Sequence, residues 1–259
     1  MTPVLAFDIE TIPDCDGIRK LHDLPADLPD AEVAEVAFQK RRTQTGSDFL
    51  GPQLHRVVVI GCVLREGDAI KVFSIAETGE KETIQRFYDG IEKLVPQLVS
   101  WNGGGFDLPV LNYRALINGV GAPKFWDQGE DDKDFRWNSY LGRYHQRHLD
   151  LMDVLAMYQP RNNAPLDDVA QLAGFPGKVG VGGAKVWDAW QAGKLAEIRS
   201  YCEADTANTY LLYLRFQQLR GVLTAEQYRK ECALLRGLLE KRPEPHWREF
   251  LSRWELESA

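Results

Sequence analysis

Near its start the chain reads Pro3-Val4-Leu5-Ala6-Phe7-Asp8-Ile9-Glu10-Thr11, an apolar run that leads into two acidic residues. The short apolar run Pro3–Phe7 predicts a buried strand. Successive side chains of a strand point to opposite faces, so we expect Asp8 and Glu10 to point the same way from its end. Two adjacent carboxylates at the end of a buried strand are costly unless a cation bridges them.

The rest of the chain predicts a mixed α/β fold. Arg56–Leu64 and Ala69–Ile75 are strand-like and flank a hairpin turn at Glu66-Gly67-Asp68, and Gln97–Trp101 and His148–Leu151 are two further predicted strands. Apolar residues at helical spacing predict helices at Thr83–Leu94, Leu108–Asn118, Met152–Tyr158, Leu166–Ala173, Lys185–Trp190, Ala196–Leu219 (long and amphipathic) and beyond Thr224.

With 259 residues, of which 44% are hydrophobic, the chain can build one substantial core. We expect one domain over residues 1–220, with insertions near 30–52 and 119–147. Residues 221–259 are expected to form a helical extension packed on the same domain. The first strand and the segments around residues 102–107 and 201–205 are therefore expected to belong to the same domain.

Charge and apolar patterning narrow the class of protein. The chain has 31 Lys and Arg against 38 Asp and Glu, a net charge of −7, which argues against a passive nucleic-acid coat but not against an enzyme whose acids hold metal ions. No apolar run is long enough for a membrane helix, and an early charge argues against a signal peptide, so we expect a cytoplasmic protein without membrane contact. Its four cysteines lack the spacing of a zinc site or a disulfide framework.

Two more acidic motifs follow the first. In Trp101-Asn102-Gly103-Gly104-Gly105-Phe106-Asp107 a strand passes through three glycines into a helix, and Asp107 either lies at the positive end of that helix as a ligand or simply caps it. In Tyr201-Cys202-Glu203-Ala204-Asp205 the phenol and the carboxylate four residues later share a helix face, although an ordinary hydrogen-bonded pair has the same pattern. Asp30-Ala31-Glu32 lacks a preceding apolar strand and is assigned to a solvated helix start.

Taken together, the three motifs supply four carboxylates, the hard oxygen ligands that Mg²⁺ or Mn²⁺ prefers. Two such ions about 4 Å apart can activate a water and stabilise the leaving oxygen in a displacement at phosphorus. The reaction class that this indicates is phosphodiester hydrolysis.

In order and spacing these motifs resemble those of the DEDD exonuclease superfamily, in its tyrosine-containing branch. Asp8-Ile9-Glu10 resembles the first motif, Asn102 to Asp107 the second and Tyr201 to Asp205 the third. The resemblance is closest to predicted bacterial 3′-to-5′ exonucleases related to the proofreading domain of family B DNA polymerases, and it covers most of residues 3–218. The sister branch carries a His five positions before the last Asp, where this chain has Ser200.

The resemblance implies an RNase H-like mixed five-stranded sheet flanked by helices, and a stand-alone exonuclease that acts on single-stranded 3′ ends, DNA more than RNA. By the same analogy the four acids hold two Mg²⁺ or Mn²⁺ ions and the phenol of Tyr201 positions the attacking water. The loop Gly174–Gly183 lacks an acidic residue expected near Gly182. The predicted catalytic residues are Asp8, Glu10, Asp107, Tyr201 and Asp205.

Five residues are candidates for substrate binding: Thr11, Asn102, Phe106, Lys178 and Arg143. Lys178 could contact a phosphate as a point charge. Arg143 belongs to the aromatic and basic stretch Phe125–His148, which could stack bases or could equally pack the insertion onto the core.

Three other functions remain open. One is an RNA 3′-end exonuclease of the same fold, and another is a non-catalytic nucleic-acid-binding module. The third is a phosphatase with an Asp nucleophile, although Glu10 stands where that family requires a second Asp. No linear motif indicates the sugar preference or the oligomeric state.

Overall fold

A computed structural model describes residues 2–180 and 182–255. Its centre is a mixed five-stranded sheet with the strand order β3-β2-β1-β4-β5. The strands are β1 (Val4–Pro13), β2 (His55–Glu66), β3 (Ala69–Ile75), β4 (Gln97–Ser100) and β5 (His148–Asp150). The sheet and all five strand positions confirm the α/β prediction.

The first strand is longer than the prediction Pro3–Phe7, which was wrong about its end. β1 pairs antiparallel with β2 from Val4 to Pro13, with a register shift between Glu10 and Thr11. Its parallel pairing with β4 covers only Val4 to Ala6. Asp8 and Glu10 therefore lie within the strand but beyond the end of β4, where one side of β1 is free to meet other elements. The polar residues Asp8 and Glu10 predict the end of the strand, whereas pairing with β2 extends it to Pro13.

Eleven helices lie within the described part of the chain, and they are α1 (Cys15–His22), α2 (Asp30–Thr45), α3 (Glu80–Leu94), α4 (Asp107–Asn118), α5 (Pro123–Trp126), α6 (Leu151–Leu155), α7 (Leu166–Leu172), α8 (Val186–Gln191), α9 (Leu195–Leu219), α10 (Ala225–Leu239) and α11 (Pro245–Arg253). Short 3₁₀ turns lie at Pro52–Leu54, Lys133–Arg136, Pro160–Asn162 and Gly183–Lys185. α2 begins at Asp30, where the sequence predicted a helix start. α6 ends at Leu155, three residues before the predicted end. No helix among the described residues combines the length and the apolar character needed to cross a membrane.

The two faces of the sheet carry separate apolar clusters. Leu5, Phe7 and Ile9 of β1 pack against α3 and α4. Ala6, on the opposite face, packs in the cluster that contains α9. Asp8 and Glu10 follow the alternation of Ala6, so they point towards α9. The period of two therefore directs both acids to one helix.

α9 approaches the sheet closely because β2 carries a glycine beneath it. A Cβ atom added to Gly61 would lie 2.4 Å from Thr206 Oγ1 and 2.8 Å from the carbonyl oxygen of Cys202. Gly61 is paired with Asp8 across the strands. The missing side chain thus brings the 201–205 segment of α9 to within reach of the acids on β1.

α9 is buried from Tyr201 to Leu214, so the predicted amphipathic pattern was wrong for this stretch. The reason is that α10 and α11 cover the side of α9 that faces away from the sheet, through side chains such as Leu235, Leu239 and Trp247. An ion pair between Arg65 of β2 and Glu231 of α10, with N–O distances of 2.7 and 2.8 Å, ties the C-terminal helices to the sheet. A domain boundary at residue 220 stays a prediction.

The 119–147 insertion packs its largest aromatic side chains onto the core. Phe125, Phe135 and Tyr140 are buried with α3 and α4. Arg147 lies over the ring of Phe135 at 3.8 Å from the centroid. Packing accounts for these aromatics, while Trp137 in the same insertion is 82% exposed.

Candidate active site

Asp8 and Glu10 lie side by side against α9. Oxygens of both carboxylates and the sulfur of Cys202 lie within 4.8 Å of one another. The Cys202 thiol contacts Asp8 Oδ2 at 3.8 Å and accepts a hydrogen bond from Gly61 N at 3.2 Å. The alternation of side chains along β1 predicts that the two carboxylates lie on the same side of the strand, and the structure confirms this. Cys202 was not predicted as part of the site, because no spacing distinguishes it from an ordinary buried cysteine.

Asp107 joins this group from the first turn of α4. Its side chain is only 4% exposed, and Oδ1 accepts a hydrogen bond from the backbone N–H of Ile9 at 3.1 Å. Ile9 lies between the two acids of β1. The N-cap of α4 is Phe106, without a side-chain capping bond, so Asp107 does not cap this helix and its carboxylate contacts the central strand instead.

The turn that carries Asp107 is fixed by Asp150 at the end of β5. Asp150 accepts hydrogen bonds from Asn102 N and Gly104 N, each at 2.9 Å, through its two oxygens. It also caps α6 by accepting from Asp153 N at 3.3 Å. Gly103 is required in this turn because a Cβ atom there would lie 2.3 Å from Ser100 Oγ. Asp150 thus both caps α6 and holds the turn that leads to Asp107.

Tyr201 and Asp205 face the β1 acids from α9. The Tyr201 phenol and the Asp205 carboxylate lie close enough to affect each other's pKa, and both side chains are buried. A Cβ atom at Gly183 would lie 3.7 Å from the Tyr201 oxygen, so the glycine-rich loop runs directly beside the phenol. Burial, and then the charges of Asp205 and Glu10, raise the pKa of Tyr201, so the phenol keeps its proton at neutral pH.

Burial, together with neighbouring negative charges, raises the pKa values of these acids. Burial, followed by the charges of neighbouring carboxylates, raises the pKa of Asp8 and of Glu10 well above their ordinary values. Burial raises the pKa of Asp107 to about 7 and that of Asp205 to about 6. Lys178 acts in the opposite direction on Glu10 and Asp205, but too weakly to offset burial. The charges of Asp107 and Asp205 both act on Asp8 and on Glu10, and these four residues are called the acid cluster below.

The acid cluster fits a divalent cation that prefers oxygen. Asp205 Oδ1 is buried and has no hydrogen-bond partner among the described residues, which is costly for a carboxylate oxygen unless a cation contacts it. Burial, followed by the charge of Asp8, raises the pKa of Cys202, which keeps it a thiol and a poor ligand. Four carboxylates and no thiolate match Mg²⁺ or Mn²⁺.

The candidate substrate residues differ in their distance from the acid cluster. Thr11 directly follows Glu10 in the chain, and Phe106 directly precedes Asp107. Lys178 is exposed, and its backbone is held by Asp167, whose Oδ1 accepts from Lys178 N at 2.7 Å.

Asn102 and Arg143 have structural partners of their own. Asn102 adopts a left-handed φ of 67° and donates its backbone N–H to Asp150, so it shapes the turn. Arg143 forms a two-pronged ion pair with Asp153, with N–O distances of 2.8 and 2.7 Å, and the structure does not bring it to the acid cluster. Substrate binding by either residue stays a prediction.

The sequence does not predict two aromatic residues beside the site, His55 and Phe49. His55 hydrogen-bonds to Thr11, with Nδ1 and Oγ1 2.9 Å apart, and Phe49 packs on His55 and Phe106. Phe49 lies in an insertion and His55 begins β2, so no sequence spacing connects them with the acidic motifs.

The sheet order and the flanking helices define an α/β fold of the RNase H-like class, with an acid cluster beside its central strand. The chain belongs to the family described as predicted 3′-5′ exonucleases related to the exonuclease domain of PolB, whose model matches residues 47–254. The matched range includes Asp107, Tyr201 and Asp205 but begins after Asp8 and Glu10, so the placement of the β1 acids rests on the geometry alone.

Among solved structures, the chain is similar to the family B DNA polymerase from the hyperthermophilic archaeon Pyrobaculum calidifontis. The two share 23% sequence identity with a TM-score of 0.50, over 85% of this chain and 25% of the polymerase chain. The similarity therefore supports the fold and spans only a quarter of that polymerase. No curated protein matches the sequence.

Proposed function

We propose that this protein is a 3′-to-5′ exonuclease of the tyrosine-containing DEDD branch, which hydrolyses phosphodiester bonds at single-stranded 3′ ends with two divalent cations. The observation that carries the proposal is that the carboxylates of Asp8 and Glu10 lie side by side, Asp107 accepts a hydrogen bond from the backbone between them, and the buried Asp205 Oδ1 lacks a partner among the described residues. Membership of a family of predicted 3′-5′ exonucleases supports it independently.

Each side chain of the cluster has a defined task in this proposal. The four carboxylates would hold Mg²⁺ or Mn²⁺, which would supply positive charge to polarise the phosphate and to lower the pKa of the attacking water. The protonated Tyr201 hydroxyl lies near Asp205 and would orient that water by hydrogen bonding. Lys178 contributes a positive charge near Glu10 and Asp205, where it can attract a phosphate.

DNA is proposed as the preferred substrate, with RNA as the alternative. The support is the likeness to the exonuclease domain of a DNA polymerase family. Discrimination depends on contacts to the sugar 2′ position, which only a substrate comparison measures.

The test uses matched DNA and RNA oligonucleotides labelled at the 5′ end, incubated with Mg²⁺, Mn²⁺ or a chelator. We expect stepwise shortening from the 3′ end only with metal, and faster shortening of DNA. Glu10→Gln is expected to lower kcat on the order of 10³-fold, because losing several kcal/mol of charge stabilisation costs a tenfold rate factor for each 1.4 kcal/mol.

The matched control is Glu32→Gln. Glu32 is exposed and belongs to the Asp30-Ala31-Glu32 triplet, which resembles the first acidic motif only by chance. The Glu32→Gln variant should keep full activity. Digestion in the presence of chelator, or full activity of Glu10→Gln, would refute the nuclease proposal. Tight oligonucleotide binding without turnover under any divalent metal would favour a non-catalytic binding module instead.

A further inference from the structure

Three aromatic rings form a surface beside the acid cluster. The ring centroids of Phe49 and His55 are 4.9 Å apart, those of Phe49 and Phe106 are 5.2 Å apart, and those of His55 and Phe106 are 5.0 Å apart. Each ring thus contacts the other two. These three residues are called the aromatic wall below.

The aromatic wall adjoins the acid cluster at two points. Phe106 directly precedes Asp107 in the chain. His55 hydrogen-bonds through Nδ1 to Thr11 Oγ1 at 2.9 Å, and Thr11 directly follows Glu10. A ligand whose phosphate reaches the acid cluster therefore has this wall next to it.

Phe49 forms the outer part of the wall, and its ring is open to solvent while its backbone is held. The residue is 56% exposed, although Leu50 beside it is buried at 3%. The Phe49 carbonyl accepts from Arg41 Nε at 3.0 Å, and its N–H donates to Ser47 Oγ at 3.2 Å. An aromatic side chain that only closed the core would be buried like Leu50, so packing does not account for the exposed face.

We propose that the aromatic wall stacks an unpaired nucleobase next to the scissile phosphate, with Phe49 as the residue that the base contacts from outside. The inference rests on the proposed function and deepens it. Every base has a π-face, so stacking of this kind tolerates any sequence, and it requires an unpaired base whose face is free. A preference for single-stranded ends follows from the wall itself.

The experiment measures binding and cleavage separately for Phe49→Leu. Binding is followed by the fluorescence of an oligonucleotide with 2-aminopurine near its 3′ end, in Ca²⁺, and turnover is followed in Mg²⁺ or Mn²⁺. We expect the variant to lose the fluorescence quenching on binding and to have a KM on the order of 10- to 100-fold higher, as stacking on one aromatic side chain predicts.

Two controls isolate stacking. Phe49→Trp should restore both quenching and KM, because it keeps an aromatic face. Trp137→Leu removes an aromatic residue that is 82% exposed in the other insertion and should leave both unchanged. On an oligonucleotide that is abasic at the stacked position, Phe49→Leu and the unmodified protein should have equal KM values.

The outcomes separate this inference from the function on which it rests. If the unmodified protein shortens oligonucleotides and Phe49→Leu matches it in KM and quenching, the wall does not stack bases and the nuclease proposal stands. If Trp137→Leu, and not Phe49→Leu, loses the quenching and has the higher KM, the base stacks on the 119–147 insertion and the inference about Phe49 is wrong. If no metal-dependent shortening occurs, the nuclease proposal fails, whereas loss of quenching in Phe49→Leu would still support base binding at the wall.

Discussion

Two buried groups of acidic side chains in this molecule differ in what neutralises them. Glu80 and Asp14 surround the guanidinium of Arg114, which is only 4% exposed as a residue. Arg114 Nε and Nη2 donate to the two oxygens of Glu80 at 2.8 and 2.6 Å, and Nη1 donates to Asp14. Here the chain supplies its own cation, at short range and with two-pronged geometry.

The acid cluster on β1, α4 and α9 has no such internal guanidinium among the described residues. Lys178 acts on two of its members but leaves their pKa values raised. The fold itself neutralises the carboxylates around Arg114, which is a structural arrangement. Under the proposed function, the carboxylates of the acid cluster are neutralised instead by a cation from solution. The comparison predicts opposite consequences when a charge is removed from each group.

The largest expected effect is on stability, at Arg114. Arg114→Met leaves Glu80 and Asp14 buried without their cation, and breaking a buried pair in this way costs about 3–5 kcal/mol. Urea unfolding in the presence of Mg²⁺ measures the free energy of unfolding. Nuclease activity per folded molecule should stay the same, since Arg114 does not contact the acid cluster.

The control for this prediction is Arg248→Met, at an exposed arginine of α11. It should change the free energy of unfolding by less than about 0.5 kcal/mol. If Arg114→Met lowers the free energy of unfolding no more than Arg248→Met does, the Arg114 group is not a stabilising ion pair. The contrast between the two acidic groups would then fail.

The sequence predicted the framework of both regions but not what distinguishes them. The five strands and the helices that carry Asp107 and Asp205 follow from apolar periodicity, which depends on burial within single segments. The Arg114 group does not, because its members are 34 and 100 residues apart in the chain and no local pattern pairs them. Charge compensation is a tertiary property, so it became visible only in the fold.

Contacts between distant segments also explain the other differences between the predicted and the observed structure. β1 extends to Pro13 because β2 pairs with it there, and α9 is buried because α10 and α11 cover it. The aromatic wall joins an insertion to the beginning of β2 and the start of α4. Short motifs locate side chains that belong to one strand or helix turn, but they do not show which other segments pack beside them.

The next effect is on catalysis, at Asp150. Asp150→Asn replaces one acceptor oxygen by an NH₂ group that faces a backbone N–H, so either Asn102 N or Gly104 N loses its partner. The turn that positions Asp107 should loosen, and partners of this kind typically contribute 10- to 100-fold in activity or metal affinity. We expect kcat to fall about 10- to 100-fold, measured on the 5′-labelled oligonucleotide with a metal titration.

Asp132→Asn is the matched control for Asp150. Asp132 also accepts a backbone N–H, from Asp134 at 3.0 Å, but in the 119–147 insertion. It should leave kcat and the metal dependence unchanged. Equal activity of Asp150→Asn and the unmodified protein would show that the acid cluster keeps its geometry without support from β5.

The smallest effect concerns pH and separates the two groups most directly. The raised pKa values of Asp107, about 7, and Asp205, about 6, lie above the value of about 3.9 for an unfolded Asp. For a carboxyl whose pKa is raised on folding, protonation favours the folded state, so this contribution is fully present below about pH 4 and is lost as the pH rises through 6 to 7. In chelator, the acid cluster should therefore lower the stability between about pH 6 and pH 8, by about 1–2 kcal/mol.

Asp8→Asn removes one carboxylate from the acid cluster and should reduce this loss, while Asp68→Asn, in the exposed β2–β3 turn, should not. The measurement is urea unfolding across that pH range, with the variant compared with the unmodified protein at each pH. Asp8→Asn should be the more stable of the two near pH 8 in chelator and should gain less stability from Mg²⁺, because a bound cation stabilises the folded state in proportion to its affinity. If the unmodified protein is instead the more stable near pH 8 in chelator, the carboxylates of the acid cluster are already neutralised within the fold, as those around Arg114 are.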